Sequence, residues 1–186
     1  MKRVFIVHGW GGNPDEAWMP WLDRELTAAG FAVTRLVMPH PDEPTIDDWV
    51  GALAAAVGTP DTDTHFVGHS IGCQTVMRYI ASLPEGTNVG RSVLVAPWFG
   101  LMNLEEDERP VAKPWIETPI DTDQVRRRAS AIRAIFSDDD PVVPVDNVGL
   151  YRERLGAQTV VLHGKGHFSE DSGVKELPEA SDFLVQ

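Results

Sequence analysis

Two hydrophobic patterns alternate along the chain: short continuous apolar runs, and longer stretches in which apolar residues recur at helical spacing. The runs read as buried strands and the stretches as helices. Arg3 to His8 is apolar and β-rich, the pattern of a strand buried on both faces. In Asp15–Gly30, Trp18, Leu22 and Leu26 recur four apart, and Gly30 stands where a C-cap is expected. Trp18 and Trp21 there are expected to pack the core or its rim. Phe31 to Met38 is a second strand. Pro39 to Pro44 carries three prolines and must be a loop, with His40 solvated or structural. Thr45 is a candidate N-cap for a helix over Ile46 to Val57, closed by Gly58 and Pro60.

The short apolar run from Thr64 up to the Gly68 turn is a third strand, led by a structural His65, and Ile71 to Ser82 the helix after it. Arg91 to Ala96 is a fourth strand, Ala131 to Phe136 a fifth, and Gln158 to Leu162 a sixth. Helices are predicted ending over Val125 to Ser130, and spanning Asp146 to Leu155 and Glu176 to Val185. The triple arginine Arg126-Arg127-Arg128 reads as a solvated face. Residues 97–122 hold aromatics, prolines and the acidic run Glu105 to Glu108 without clean periodicity. They predict a long excursion over one edge of the sheet, either a small lid or pocket wall or a solvated connection. Alternating strands and helices imply a parallel sheet with helices on both faces. Functional loops in such sheets gather at the carboxyl ends of the strands.

Composition narrows the class. The 186 residues are 42% apolar and 24% charged, enough for a sizeable core in one domain, 1–186. The net charge of −12 argues against nucleic acid or an anionic membrane as partner. A lone cysteine, Cys73, excludes an internal disulfide and fits a reducing compartment. The apolar run after Met1-Lys2-Arg3 is too short for a signal-peptide core, and no stretch approaches the roughly 20 apolar residues of a membrane span. The expected location is cytoplasmic.

Candidate chemistry centres on Gly68-His69-Ser70-Ile71-Gly72, a G-x-S-x-G pattern between a strand and a helix. A serine hydroxyl becomes a useful nucleophile when a tight turn holds it out beside a base. The turn crowds the backbone, so its flanking positions must lack a Cβ. The helix start beyond Ser70 offers unpaired N–H groups to a developing anion. The Ile71 N–H is one oxyanion-hole candidate. Trp10, in the Gly-rich loop after the first strand, is the other, with Gly11 as its alternative. That loop lacks the Lys-Ser/Thr ending of a phosphate-binding P-loop. His69 is adjacent to Ser70 on a sharp turn and is expected to point away from it, so it is not the base. Cys73 is expected on the packed side of the helix.

A serine nucleophile needs a histidine, and the histidine a carboxylate. In α/β-hydrolases these follow in the order Ser, Asp, His. Asp140, in the loop after the fifth strand, and His167, after the sixth, fit that order. Asp138 and Asp139 are alternatives to Asp140. His163 and His167 lie four apart, but no third metal ligand is evident, and His163 reads as structural. No cofactor or metal is required.

The chain resembles the small α/β-hydrolases of the retinoblastoma-binding protein 9 and YdeN type. The likeness covers nearly its whole length. It rests on His8-Gly9, Trp18-Met19-Pro20-Trp21-Leu22, Asp47-Asp48-Trp49, Gly68 to Cys73, Asp139-Asp140-Pro141-Val142-Val143-Pro144 and Gly166-His167-Phe168. The resemblance implies a compact three-layer α/β-hydrolase fold, strand order 2-1-3-4-5-6, without a full cap domain. It assigns the nucleophile to Ser70, the base to His167 and the acid to Asp140, the aspartate that opens D-x-x-V-P. The implied activity is hydrolysis of small carboxylic esters, with thioesters, amides and lactones as variants. A protein-binding module with an idle triad is the reading from another class. The founding member's Leu-x-Cys-x-Glu partner motif is absent, since Gln74 and Thr75 follow Cys73, so no protein partner carries over. The pocket walls are expected from Gly9, Trp10, Gly11, His69, Trp98, the Pro39 to Pro44 loop and the excursion after Trp98.

Overall fold

A computed structural model describes residues 1–186. Six strands pair in one wholly parallel sheet: β1 (Arg3–Val7), β2 (Ala32–Arg35), β3 (Thr64–His69), β4 (Val89–Val95), β5 (Ala129–Ser137) and β6 (Gln158–Leu162). Their order is β2-β1-β3-β4-β5-β6, as expected. The registers run Val4 against Val33 and His65, Phe66 against Ser92, Ser92 against Ile132, and Ile135 against Val160. Every residue of β3 is buried, because helices cover both faces of this central strand.

The helices are α1 (Met19–Ala28), α2 (Ile46–Val57), α3 (Ile71–Ser82), α4 (Arg109–Glu117), α5 (Thr122–Arg128), α6 (Asn147–Leu155) and α7 (Pro178–Val185). α1 packs with α7 on one face, while α2, α3, α5 and α6 form a contiguous row on the other. α3 is the most enclosed, with Ile71 through Ile80 all buried. The Thr45 hydroxyl caps α2 by accepting from the Asp48 N–H at 3.2 Å. No helix is long and apolar enough to cross a membrane.

Several boundaries differ from the sequence reading. α1 starts at Met19, not Asp15, because Pro20 is tolerated only in a first turn. β2 is shorter than expected, Ala32–Arg35, and its last register pair sets Arg35 against Ile6. The excursion contains a nine-residue helix, α4, with Pro110 in its first turn and Pro114 inside it. It rests on α2 and α3 and not on a sheet edge. Its Trp115 meets Trp49 of α2 edge to face at 6.2 Å and donates its indole N–H to Pro44 O. Arg78 of α3 donates to the carbonyls of Trp115, Thr118 and Pro119. Arg128 is also a correction: it is buried, and its guanidinium bonds the Ile80 and Ala81 carbonyls at the end of α3.

Candidate active site

The turn between β3 and α3 holds Ser70 at φ 52°, ψ −117°, a conformation a serine adopts only under local constraint. A Cβ on Gly68 would lie 2.7 Å from the Cys73 backbone, and one on Gly72 2.5 Å from Val7 O. Both neighbours are main chain and cannot swing aside, which explains the two glycines. Cys73 is buried against the carbonyls of Gly68 and Val95, and burial pushes its thiol well up. That leaves Ser70 as the available nucleophile on the turn.

His167 arrives on the loop after β6. Its Nε2 lies 2.9 Å from Ser70 Oγ, and its Nδ1 lies 2.9 Å from Asp140 Oδ2. Asp140 is almost wholly enclosed, and its other oxygen accepts from the N–H groups of Val142 and Val143, each at 2.9 Å. Those two amides fix the carboxylate plane.

The neighbouring aspartates do other work. Asp138 pairs with His163 Nδ1 at 2.7 Å and accepts from Gly164 N–H. Asp139 accepts from the Ser137 hydroxyl at 2.6 Å and from Gly166 N–H at 2.8 Å. The His163 bond holds the Asp138 carboxyl below its usual range, and the Ser137 bond does so for Asp139. Both therefore brace the histidine loop, and neither touches His167. His163 is exposed, and Asp138 raises its pKa.

Two further histidines frame the site as neutral rings. His69 donates Nε2–H to the His167 carbonyl at 2.7 Å, and its ring lies tilted against that of His167 at 5.2 Å. Burial, reinforced by the nearby His167, pushes its pKa down to about 3. His8 donates Nδ1–H to Gly9 O and accepts at Nε2 from Met38 N–H, which fastens the Gly-rich loop to the end of β2. In that loop the Gly11 N–H is spent on Pro41 O at 2.8 Å and the Gly12 N–H on Gly9 O. The Trp10 N–H has no acceptor within the chain. Ile71 opens α3, so its N–H has no intrahelical acceptor either.

Ser70 lies in a cavity of about 380 Å³. Of the residues expected in its walls, Gly9, Trp10, Gly11, His69 and Trp98 line it, together with Ile71. Leu101, Leu104 and Glu108 contribute from the 97–122 excursion, and Glu16, Val142 and Ser169 from elsewhere. Val142 belongs to the Asp139 to Pro144 motif and the excursion was expected as a wall, but no motif marked Glu16 or Ser169, which join the others only through the fold. The Pro39 to Pro44 loop does not line the cavity, contrary to expectation. It stands behind the wall, accepting the Trp10 indole N–H at Asp42 O.

A family model described as "Serine hydrolase" matches residues 4–186. YdeN of Bacillus subtilis (strain 168) is 29% identical over 185 residues, 99% of this chain and 95% of YdeN. The crystal structure of the B. subtilis ydeN gene product superposes with a TM-score of 0.90 at 28% identity, covering 99% of this chain and 97% of that one. Est1E from Butyrivibrio proteoclasticus, solved with ferulic acid bound, shares the fold at a TM-score of 0.75 and 15% identity, over 100% of this chain and 87% of its own.

Proposed function

The chain belongs to the serine hydrolase family, and on that premise we propose that it cleaves carboxylic esters of small molecules through Ser70, His167 and Asp140. The observation that carries this reading is the position of one imidazole, 2.9 Å from a hydroxyl on one side and 2.9 Å from a buried carboxylate on the other. Asp140 accepts the Nδ1 proton, so Nε2 is left as the base facing Ser70.

Ser70 Oγ attacks the acyl carbonyl as its proton passes to His167. The N–H groups of Trp10 and Ile71 receive the oxyanion, each worth ~3 kcal/mol in acyl-transfer chemistry. The unspent Trp10 N–H supports it over Gly11, whose N–H is occupied. His167 then protonates the departing alcohol, and water releases the acid by the reverse sequence. The chain acts as one domain, in which the 97–122 excursion walls the pocket through Leu101, Leu104 and Glu108 in place of a separate cap.

A panel of short activated esters, thioesters and anilides tests both residues and bond type. Ester turnover is expected to lead, and Ser70→Ala and His167→Ala are each expected to lower kcat by at least ~10⁴-fold with the urea midpoint nearly unchanged. Near-wild-type rates in either variant would remove the residue from the mechanism. Faster thioester or anilide turnover would keep the residues and change the substrate.

A further inference from the structure

Trp98 follows β4 and is buried against the nucleophile. Its indole N–H has a single acceptor in the structure, Ser70 Oγ, at 3.4 Å. Resting on the reading of Ser70 as nucleophile, we propose that Trp98 is a catalytic residue. Its N–H holds one lone pair of Oγ during attack and stabilises the electron pair that returns to Oγ when the acyl-enzyme breaks.

The valence of the oxygen makes the case. A serine oxygen has one proton and two lone pairs. His167 takes the proton, and Trp98 occupies one lone pair. The remaining pair is the one left for the acyl carbon, so the hydroxyl is fixed in rotation as well as in place. The main chain that carries the indole is held on both sides. The Trp98 carbonyl accepts from Gln74 Nε2 at 2.6 Å and from the Tyr151 hydroxyl at 3.2 Å, and the Phe99 N–H donates to Asn147 Oδ1 at 2.8 Å. Gln74, Tyr151 and Asn147 are all buried. An apolar wall could be made by phenylalanine without leaving a buried donor to satisfy.

Through the cycle Trp98 keeps its own proton. In acylation the Oγ–C bond forms, the hydroxyl proton moves to His167 Nε2, and the carbonyl π pair moves to the oxyanion. The oxyanion pair then re-forms the carbonyl as the C–O bond to the alcohol breaks with its pair on the leaving oxygen, which takes the proton from His167. In deacylation a water oxygen bonds the acyl carbon and gives a proton to His167, and the carbonyl π pair again moves to the oxyanion. That pair re-forms the carbonyl as the C–Oγ bond breaks with its pair on Oγ, which takes the proton back. Charge builds on Oγ at this break, and a hydrogen bond to a charged oxygen is stronger than one to the ester oxygen of the acyl-enzyme. The contact therefore favours the transition state over the intermediate.

Site-specific replacement of Trp98 by β-(3-benzothienyl)alanine, which puts sulfur where the N–H stood, removes the donor and keeps the ring shape. The rate of Ser70 phosphonylation by a fluorophosphonate and kcat for an ester are both expected to fall about tenfold, with KM within about twofold. In the unsubstituted protein, the Trp98 indole N–H resonance is expected to shift in Ser70→Ala. Wild-type rates in the isostere, a loss confined to KM, or an indole resonance indifferent to Ser70→Ala would each overturn the proposal and leave Trp98 as a wall. If the wild type itself is neither labelled nor active, the reading of Ser70 fails. If the wild type is active and the isostere matches it, only the role of Trp98 fails.

Discussion

At the scale of single residues, three consecutive aspartates show what sequence could and could not supply. The D-x-x-V-P spacing singled out Asp140, but nothing in the chain said what its neighbours face. Asp138 and Asp139 answer to backbone amides of the histidine loop, a partnership created by the β5–β6 pairing and invisible before folding. The neutral histidines carry a prediction about pH. Burial pushes His65 down to about 4 and His69 to about 3, against 6.5 for an ordinary histidine. His65 accepts the Arg91 N–H at Nδ1, and His69 donates to the His167 carbonyl, so both are built in as neutral rings. Below pH 6.5 the unfolded chain binds protons that the folded chain refuses. Stability is therefore fully present above about 6.5 and is lost as pH falls toward 4, by at most ~1.4 kcal/mol per pH unit for each ring. The exposed His163–Asp138 pair acts in the opposite sense but is screened by solvent. Asp138, Asp139 and Glu170, held below their ordinary values, lose their contribution only at lower pH. Urea midpoints from pH 8 to 4.5 check this, and His65→Gln is expected to flatten the decline. An unchanged midpoint across the window would mean that these rings protonate in place.

At the scale of elements, helices α2 and α3 and strand β6 were legible to the residue, because a capping threonine, a serine turn and short apolar runs mark their ends. Helix α4 was not. Its two prolines read as breakers, and its apolar side is narrow, with only Ala112 and Trp115 buried. What holds it is tertiary: the Trp115 contacts and the Arg78 guanidinium. Arg78 is buried beside carbonyl acceptors and the Gln74 amide, with no carboxylate partner, and desolvation lowers its pKa. Because α4 has little else to anchor it, Arg78→Met is expected to destabilise the fold by ~2–4 kcal/mol, by orphaning buried carbonyls. Hydrogen exchange is expected to quicken first over residues 115–122. Uniform acceleration across the sheet, or none, would contradict Arg78 as the local anchor of that segment.

At the scale of the whole molecule, the parallel order and the gathering of Ser70, Asp140 and His167 at the carboxyl ends of β3, β5 and β6 were readable from alternation and motif order. The pocket was readable only in part, because Glu16 and Ser169 reach its walls only once the separate loops are folded together. Its charge has a consequence. Apart from imidazoles, the only ionisable side chains lining it are Glu16 and Glu108, within a chain of net charge −12. An anionic ester is expected to show a kcat/KM roughly tenfold below that of its neutral isostere at low salt, with the gap narrowing as salt rises. A nitrophenyl hemisuccinate compared with the matching methyl-capped ester reads this directly. Equal rates at low salt would mean that the two carboxylates do not reach the bound substrate.

The central claim is that the fold activates Ser70. The most direct measurement is the intact mass of the protein after treatment with a fluorophosphonate, with peptide mapping of the adduct and Ser70→Ala alongside. One adduct on Ser70, and none in the variant, is the predicted result. A folded wild type that takes no adduct, or takes it at another residue, would contradict the account.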